Sequence, residues 1–258
     1  MSIKTHLLNG VATIELARPE KKNAITVAMY QAMRDAVLDA QANPAVRALL
    51  FTGQPGIFTA GNDLEDFMAW PAPSEQSPTD SPVFQFMRAL TGCDKPVIVA
   101  VTGAAVGIGT TMLLHCDLVY LSEKARLSMP FVSLGLVPEF ASSLLVPRLM
   151  GPLKAAEKLL LGEPILPAEA VTLGLANAVL PAEEVVAHAR AVAERFNQLP
   201  PGAVRESKRL LRRADSQAVQ ETIEVEGRLF DARLRSPEAT EAFQAFFQKR
   251  KPDFSRFS

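Results

Sequence analysis

The stretch KPVIVAVTGAAVGIGTTMLLHCDLVYLSE, residues 95–123, carries the pattern that decides the fold. Its first part, KPVIVAVTG at 95–103, is apolar and β-branched along its length, as is typical of a strand buried on both faces. GIGTTMLLHC then begins a helix directly from glycines, and DLVYLSE has the composition of a second strand. Strands that alternate with helices in this way predict an α/β domain with a largely parallel sheet.

The residues before this stretch extend the same alternation. HLLNGVATIEL places Asn9-Gly10 between two strand-like runs, the pair favoured by a type I′ hairpin turn. Apolar residues at helical spacing predict a helix over 26–41, a short apolar strand follows at 48–53, and another helix is expected over 83–92. The segment 70–82, rich in Pro, Ser and acidic residues, predicts a loop within the domain.

After residue 150 the pattern becomes helical. Several of the segments begin with Pro or Ser followed by acidic residues, which suits a helix N-terminus. They are GPLKAAEKLLLG, PAEAVTLGL, PAEEVVAHARAVAERFNQLP, AVRESKRLLRRA, AVQETIEVEGRLFDARL and SPEATEAFQAFFQKR. We place a boundary near Pro200, between a core at 1–199 and a helical module at 200–258. The module is too small to bury its apolar faces alone, so it is expected to pack on the core or on another subunit.

Composition excludes several classes of protein. The chain has 258 residues, of which 48% are apolar, and its 27 basic and 28 acidic residues leave a net charge of −1, which favours neither a nucleic-acid nor a membrane partner. Cys93 and Cys116 form no CxxC pair, which indicates a reducing compartment. The N-terminus does not resemble a signal peptide, and no apolar run approaches the roughly 20 residues of a membrane span. We therefore expect a soluble, cytoplasmic protein.

Two glycine turns are candidate anion sites. FTAGNDL at 58–64 and GAAVGIGTT at 103–111 each follow a strand and precede a helix, where free backbone N–H groups can hold an anion. Taken alone, the first is also consistent with an ordinary helix start. The second fits neither GxGxxG nor the Walker pattern, so it does not predict a nucleotide site.

The stretch GLVPEFASS, residues 135–143, contains a single carboxylate, Glu139, among apolar and small residues. A charge is costly to bury there unless something uses it. After Pro138 it could cap a helix, or it could serve as an active-site base; the residues alone leave both open.

Other candidate groups have simpler interpretations. His6, His115 and His188 are scattered without metal-ligand spacing, and His115, on an apolar helix end, is expected to be structural. The basic run at 208–213 is expected to be a solvated helix face.

Six segments in fixed order carry a further indication: RPEKKNAIT, FTAGNDLEDF, KPVIVAVTGAAVGIG, CDLVYLSEKARLSMPFVSLGLVPE, GLANAVLP and FFQKRKPDF. Together they resemble the crotonase, or enoyl-CoA hydratase/isomerase, superfamily, from about residue 3 to residue 254. The resemblance implies a crotonase-like ββα spiral core with a helical C-terminal trimerisation module, and a homotrimer or a dimer of trimers. It also implies an acyl-CoA thioester as substrate, with no separate cofactor and no metal.

In that family the two glycine turns form one oxyanion hole. The matching donors are the backbone N–H groups of Asn62, directly after Gly61, and of Ile108, between Gly107 and Gly109. Two fixed donors aimed at a thioester oxygen stabilise the charge that develops when the thioester becomes an enolate. Since the donors are backbone groups, their side chains are free to vary.

The resemblance departs from the hydratases at two positions. The glutamates that hydratases use to add water correspond to Thr111 and Phe131, which cannot act as carboxylates. LGLVPEFASS and AGNDL are instead similar to the peroxisomal-type Δ3,Δ2-enoyl-CoA isomerases, in which the glutamate matching Glu139 is the single base. We therefore expect conversion of 3-enoyl-CoA to 2-trans-enoyl-CoA. The alternatives are hydration or another crotonase-type reaction, and a non-catalytic acyl-CoA-binding scaffold; RNA binding has no support from the net charge.

The resemblance also implies residues that bind substrate or CoA. In that family, residues that match Phe246 and Lys249 of the C-terminal segment often reach CoA across a subunit boundary. The alternative is that Phe246 is a core residue and Lys249 a surface charge. The acyl chain itself cannot be read from the sequence, although the 70–82 loop and the residues after Asp63 are expected to shape its pocket. The predicted set is Lys22, Ala24, Ala60, Gly61, Asp63, Leu64, Gly107, Pro130, Phe131, Leu134, Phe246 and Lys249.

Overall fold

The computed structural model describes residues 2–68 and 81–257. Its strands are β1 (Ile3–Leu8), β2 (Val11–Leu16), β3 (Ala48–Thr52), β4 (Gly56–Thr59), β5 (Val97–Val101), β6 (Gly103–Val106), β7 (Leu118–Ser122), β8 (Arg126–Ser128) and β9 (Ala178–Leu180). Its α-helices are α1 (Val27–Ala42), α2 (Leu64–Met68), α3 (Pro82–Gly92), α4 (Ile108–Thr111), α5 (Ser142–Met150), α6 (Pro152–Leu160), α7 (Pro167–Thr172), α8 (Val185–Arg195), α9 (Pro201–Arg212), α10 (Ser216–Leu234) and α11 (Pro237–Phe247). The predicted loop at 70–82 falls almost wholly outside the described residues.

The larger of two sheets confirms the predicted α/β class. Its strand order is β1-β2-β3-β5-β7-β9, with β1 antiparallel to β2 and the remaining pairs parallel. Leu49 and Phe51 join the main core on one face, whereas Leu50 and Ala48 pack on the other face against α8. Burial of both faces explains why these strands are continuously apolar rather than alternating.

A second, three-stranded parallel sheet has the order β4-β6-β8. Each of the pairs β3 and β4, β5 and β6, and β7 and β8 sends one strand to each sheet before the chain moves on to a helix or loop, which gives the predicted ββα spiral. The sequence does not predict these strands: its pattern places residues 103–106 in a glycine loop, but the segment forms β6. Strands of three or four residues are too short to show a periodic pattern.

The basic run on α9 is only partly the solvated face that was expected: Arg209 and Arg213 are exposed, but members of the run bind the core. Lys208 is buried, with its ammonium 2.7 Å from an Asp117 oxygen and 2.6 Å from the carbonyl oxygen of Lys95. Arg212 bonds the other Asp117 oxygen at 2.8 Å, and Arg209 bonds Asp94 at 2.6 Å. These partners lie just before β5 and β7, so α9 docks on the amino ends of the central strands.

The C-terminal helices therefore begin with a segment that is bound to the core by charge. The proposed boundary near Pro200 precedes α9, and its status as a domain boundary stays a prediction. Among the described residues, none of the helices combines the length and the apolar character needed to cross a membrane.

Candidate active site

The two glycine turns come together because of the small sheet. β4 and β6 are parallel neighbours, so the turns that follow them lie at the same edge of that sheet. Gly61 has φ +89° and Gly107 has φ +55°, a backbone region that glycine adopts without strain. A β-carbon built on Gly61 would lie 2.9 Å from the carbonyl oxygen of Val106, so the turns are in direct contact.

The two backbone N–H groups predicted to form the oxyanion hole are available to bind a substrate oxygen. Within the described part of the chain, neither the Asn62 N–H nor the Ile108 N–H has a hydrogen-bond acceptor. Ile108 is the first residue of α4, where a backbone N–H has no partner inside its own helix. Two unpaired donors on adjacent turns are the arrangement expected of an oxyanion hole.

The RPEKKNAIT segment supports the first turn. The Asn23 amide donates to the carbonyl oxygen of Phe58 at 3.0 Å, and the Thr59 hydroxyl donates to the carbonyl oxygen of Asn23 at 2.6 Å. Asp63 begins α2 by accepting the N–H of Glu65 at 3.0 Å, and its other oxygen lies 2.6 Å from Arg18. The side chain of Asp63 is thus used in holding the turn.

An apolar cleft of about 530 Å³ runs past both turns. It is bounded by the RPEKKNAIT segment, the two turns, the 130–136 segment and the C-terminal helices. Of the predicted substrate and CoA residues, it is lined by Lys22, Ala24, Ala60, Gly61, Asp63, Leu64, Gly107, Pro130, Phe131, Leu134 and Phe246, together with Asn62.

Two C-terminal residues have different outcomes. Phe246 is 60% exposed and lines the cleft beside Phe247, so the alternative that it is a core residue is wrong. Lys249 is exposed and does not line the cleft within the single chain. A contact of Lys249 with CoA across a subunit boundary stays a prediction.

Glu139 lines a smaller cavity of about 50 Å³ that adjoins the cleft. Asn62 and Phe230 line both spaces, so the Asn62 turn stands between the cleft and the carboxylate. The described walls of the small cavity come mainly from α3 and α10, which approach closely at Gly227: a β-carbon there would lie 2.4 Å from the Phe84 ring.

Glu139 is 6% exposed, and its carboxyl group is hydrogen-bonded through one of its two oxygens. The Thr111 hydroxyl donates to Oε1, and among the described residues Oε2 has no hydrogen-bond partner. Burial raises the pKa of Glu139 to about 8, and the negative charge of Glu226 adds to the rise. Beside it, the Tyr30 hydroxyl donates to the Asn62 side chain at 2.5 Å.

The helix-cap alternative for Glu139 is wrong. α5 begins at Ser142, with Ala141 before it, and the Glu139 side chain bonds Thr111 rather than a backbone N–H of the helix. Phe140 and Ala141 have φ values of +59° and +56°, so the chain turns sharply between Glu139 and the helix.

Two residues support the segment that follows Glu139, a role that the sequence pattern does not predict for either of them. Glu226 accepts backbone N–H groups of Ala141 and Ser143, and His115 hydrogen-bonds the carbonyl oxygen of Phe140 at 2.7 Å. His115 is structural, as expected; burial lowers its pKa to about 4, which keeps it neutral. A glutamate on the buried stripe of α10, shared with Val219 and Ile223, was the available indication for Glu226.

The raised pKa predicts that Glu139→Gln stabilises the protein at alkaline pH. An unfolded glutamate ionises near pH 4.5, whereas the folded one holds its proton until about pH 8, so stability is lost as pH rises between these values. Gln carries no such cost. We expect the difference in free energy of unfolding, measured in urea, to grow by a few kcal/mol between pH 5 and pH 8.5, since one pKa unit corresponds to about 1.4 kcal/mol. A difference that is constant with pH would contradict it.

Comparison with known proteins agrees with the fold. A sequence model of the enoyl-CoA hydratase/isomerase family matches residues 7–256. Enoyl-CoA delta isomerase 2 of Rattus norvegicus is 34% identical over 245 residues; these cover 94% of this chain, which spans only 62% of the rat protein. The probable enoyl-CoA hydratase echA8 of Mycobacterium leprae is 31% identical over 258 residues, 99% of each chain. The solved structure of OdaA from Pseudomonas aeruginosa has a TM-score of 0.91 and 50% identity, covering 95% of this chain and 98% of that one.

Both isomerases and hydratases occur among these relatives, so their names do not select one reaction. The rat and Mycobacterium leprae relatives are both named as enoyl-CoA enzymes, and each match covers nearly the full length of this chain. With a family match over residues 7–256 and the spiral of paired strands that the structure shows, the chain belongs to the enoyl-CoA hydratase/isomerase family, within the crotonase superfamily.

Proposed function

We propose that the protein is a Δ3,Δ2-enoyl-CoA isomerase. The observation that carries the proposal is the position of Glu139, which lines a small cavity together with Asn62 of the first glycine turn. A raised pKa of about 8 suits a base that must both take and return a proton near neutral pH.

The reaction needs one carboxylate and one anion site. A 3-enoyl-CoA would lie in the cleft with its thioester oxygen on the Asn62 and Ile108 N–H groups. Glu139 removes a proton from C2, the electrons pass into a dienolate whose oxygen the two N–H groups stabilise, and the protonated Glu139 returns the proton to C4. Because the N–H groups are already fixed, they need no reorganisation as the charge develops.

The departures from the hydratases support this chemistry. Thr111, at the position of one hydratase glutamate, donates a hydrogen bond to Glu139 Oε1. Phe131, at the position of the other, adds an apolar ring to the cleft. One position has thus become a support for Glu139, and the other excludes water.

Hydration is the second candidate, and one observation favours it. Asp231 of α10 lines the same cavity as Glu139, so a second carboxylate is present. However, Asp231 is paired with Arg235 at 2.5 Å, and this arginine competes for the oxygen that would accept a proton from water.

The homotrimer or dimer of trimers, the CoA contacts and the cytoplasmic location also stay predictions.

A paired turnover assay on the purified protein tests the proposal. We expect fast isomerisation of 3-cis-hexenoyl-CoA and negligible hydration of crotonyl-CoA, because the other carboxylate that the described residues place in this cavity, Asp231, is paired with Arg235. Efficient hydration with slow isomerisation would overturn the assignment and direct attention to Asp231. Tight binding of both thioesters without turnover of either would favour the scaffold alternative.

A further inference from the structure

Glu226 lies on α10, far from Glu139 in the sequence, yet its carboxylate is bound to the loop that carries Glu139. It is 5% exposed. Oε2 accepts the Ala141 N–H at 2.6 Å, and Oε1 accepts the Ser143 N–H at 2.9 Å. Both of its oxygens are therefore occupied by the short segment that follows Glu139.

That segment needs an external support. Phe140 and Ala141 are consecutive residues in the left-handed region, where a non-glycine side chain is disfavoured and persists only if the surroundings impose it. The backbone of α5 also lacks a local cap, because Ala141 at the N-cap position has no side-chain acceptor for the first N–H groups. Glu226 supplies that acceptor from a different helix.

A second contact fixes the same segment by binding a backbone carbonyl group instead of N–H groups. His115 Nε2 is 2.7 Å from the carbonyl oxygen of Phe140, and the two rings stack with centroids 4.0 Å apart. Glu226 thus binds N–H groups of this segment, and His115 binds the carbonyl group of Phe140, the residue that directly follows Glu139. Together these contacts fix the direction in which the chain leaves Glu139.

We propose that Glu226 is a positioning residue for Glu139, holding the left-handed turn at 140–141 so that the base faces the small cavity beside the oxyanion turns. The inference rests on the proposed function, because it assigns Glu139 as the base. Glu226 does not touch the reacting atoms; it acts through the backbone of Ala141 and Ser143 and through its charge.

The negative charge of Glu226 gives its positioning role a measurable effect on the pKa of Glu139, which helix capping alone would not have. Among the described residues, the titratable groups around Glu139 and its turn are Tyr30 on α1, His115, and Glu226 and Asp231 on α10; Asp231 is paired with Arg235. Of these, Glu226 is the one whose negative charge raises the pKa of Glu139. Removing that charge should therefore let Glu139 ionise at lower pH.

The experiment compares Glu226→Gln with the wild-type protein in the isomerase assay. Gln keeps the shape but can accept at only one atom and carries no charge. We expect kcat to fall about 10–100-fold with little change in KM, and the lower limb of the pH profile to move to lower pH. Glu224→Gln, which removes an exposed charge from the same helix, should behave as wild type.

Two further variants keep the outcome decisive. Glu226→Asp retains the charge but shortens the reach, so kcat should fall while the pH limb stays in place; this variant carries the test if Glu226→Gln does not fold. A merely structural role would lower the melting temperature and leave kcat and the pH limb unchanged, which would overturn the inference. Glu139→Gln in the same assay separates the two claims, since its full activity would contradict the proposed function instead.

Discussion

Glu139→Gln should lose isomerase activity by about 10³-fold or more in kcat, with little change in KM. General acid–base groups typically contribute about 10²–10⁴-fold, and Glu139 is proposed to serve two proton transfers in one turnover, which places the loss toward the upper end. Gln can still accept the Thr111 hydroxyl and fill the same space, so binding should persist. In the wild-type protein, kcat/KM should rise with pH through about 8, since only the carboxylate can act as a base.

The matched control for this loss is Asp231→Asn. Asp231 is the other carboxylate that the described part of the chain contributes to the small cavity, and the change is equally small. We expect the control to keep most of its isomerase activity. A large loss in Asp231→Asn, with activity retained in Glu139→Gln, would reassign the base.

The sequence was sufficient to predict the parallel core and the two turns. The central strands are uniformly apolar because both faces are buried, so β3, β5 and β7 could be recognised without a partner. The turns needed glycine for their backbone angles, and that requirement is visible in the sequence. That the turns are neighbours follows from the pairing of β4 with β6, which the sequence did not show because these strands are so short.

The supports of the site could not be predicted because they depend on long-range packing. Lys208 looked like part of a solvated basic face, since its partner Asp117 lies about 90 residues earlier, before β7. Glu226 and the Ala141 N–H that it accepts are likewise 85 residues apart. Periodicity can show that such a charge falls on a buried stripe, but only the tertiary fold shows which group pairs with it.

Gly61→Ala should reduce kcat by about 10²-fold or more, because it moves one donor of the oxyanion hole. The added methyl group would lie 2.9 Å from the carbonyl oxygen of Val106, directly before the second turn, and φ is +89°. The two turns must then separate, or the Gly61–Asn62 peptide must rotate, and either change moves the Asn62 N–H away from the developing charge. The measurement is kcat for isomerisation, with the folded state checked by thermal unfolding.

Gly56→Ala separates the catalytic loss from the backbone strain. Gly56 begins β4, the strand that leads into the Gly61 turn, and has a similar φ of +83°, but a methyl group there meets no atom within 4 Å. Both variants should therefore lose stability, by about 1–2 kcal/mol for a left-handed non-glycine residue. Only Gly61→Ala should also lose turnover, because only there does the added methyl group press one turn against the other. Equal losses of kcat in the two variants would show that backbone strain, rather than the direction of the Asn62 N–H, limits the reaction.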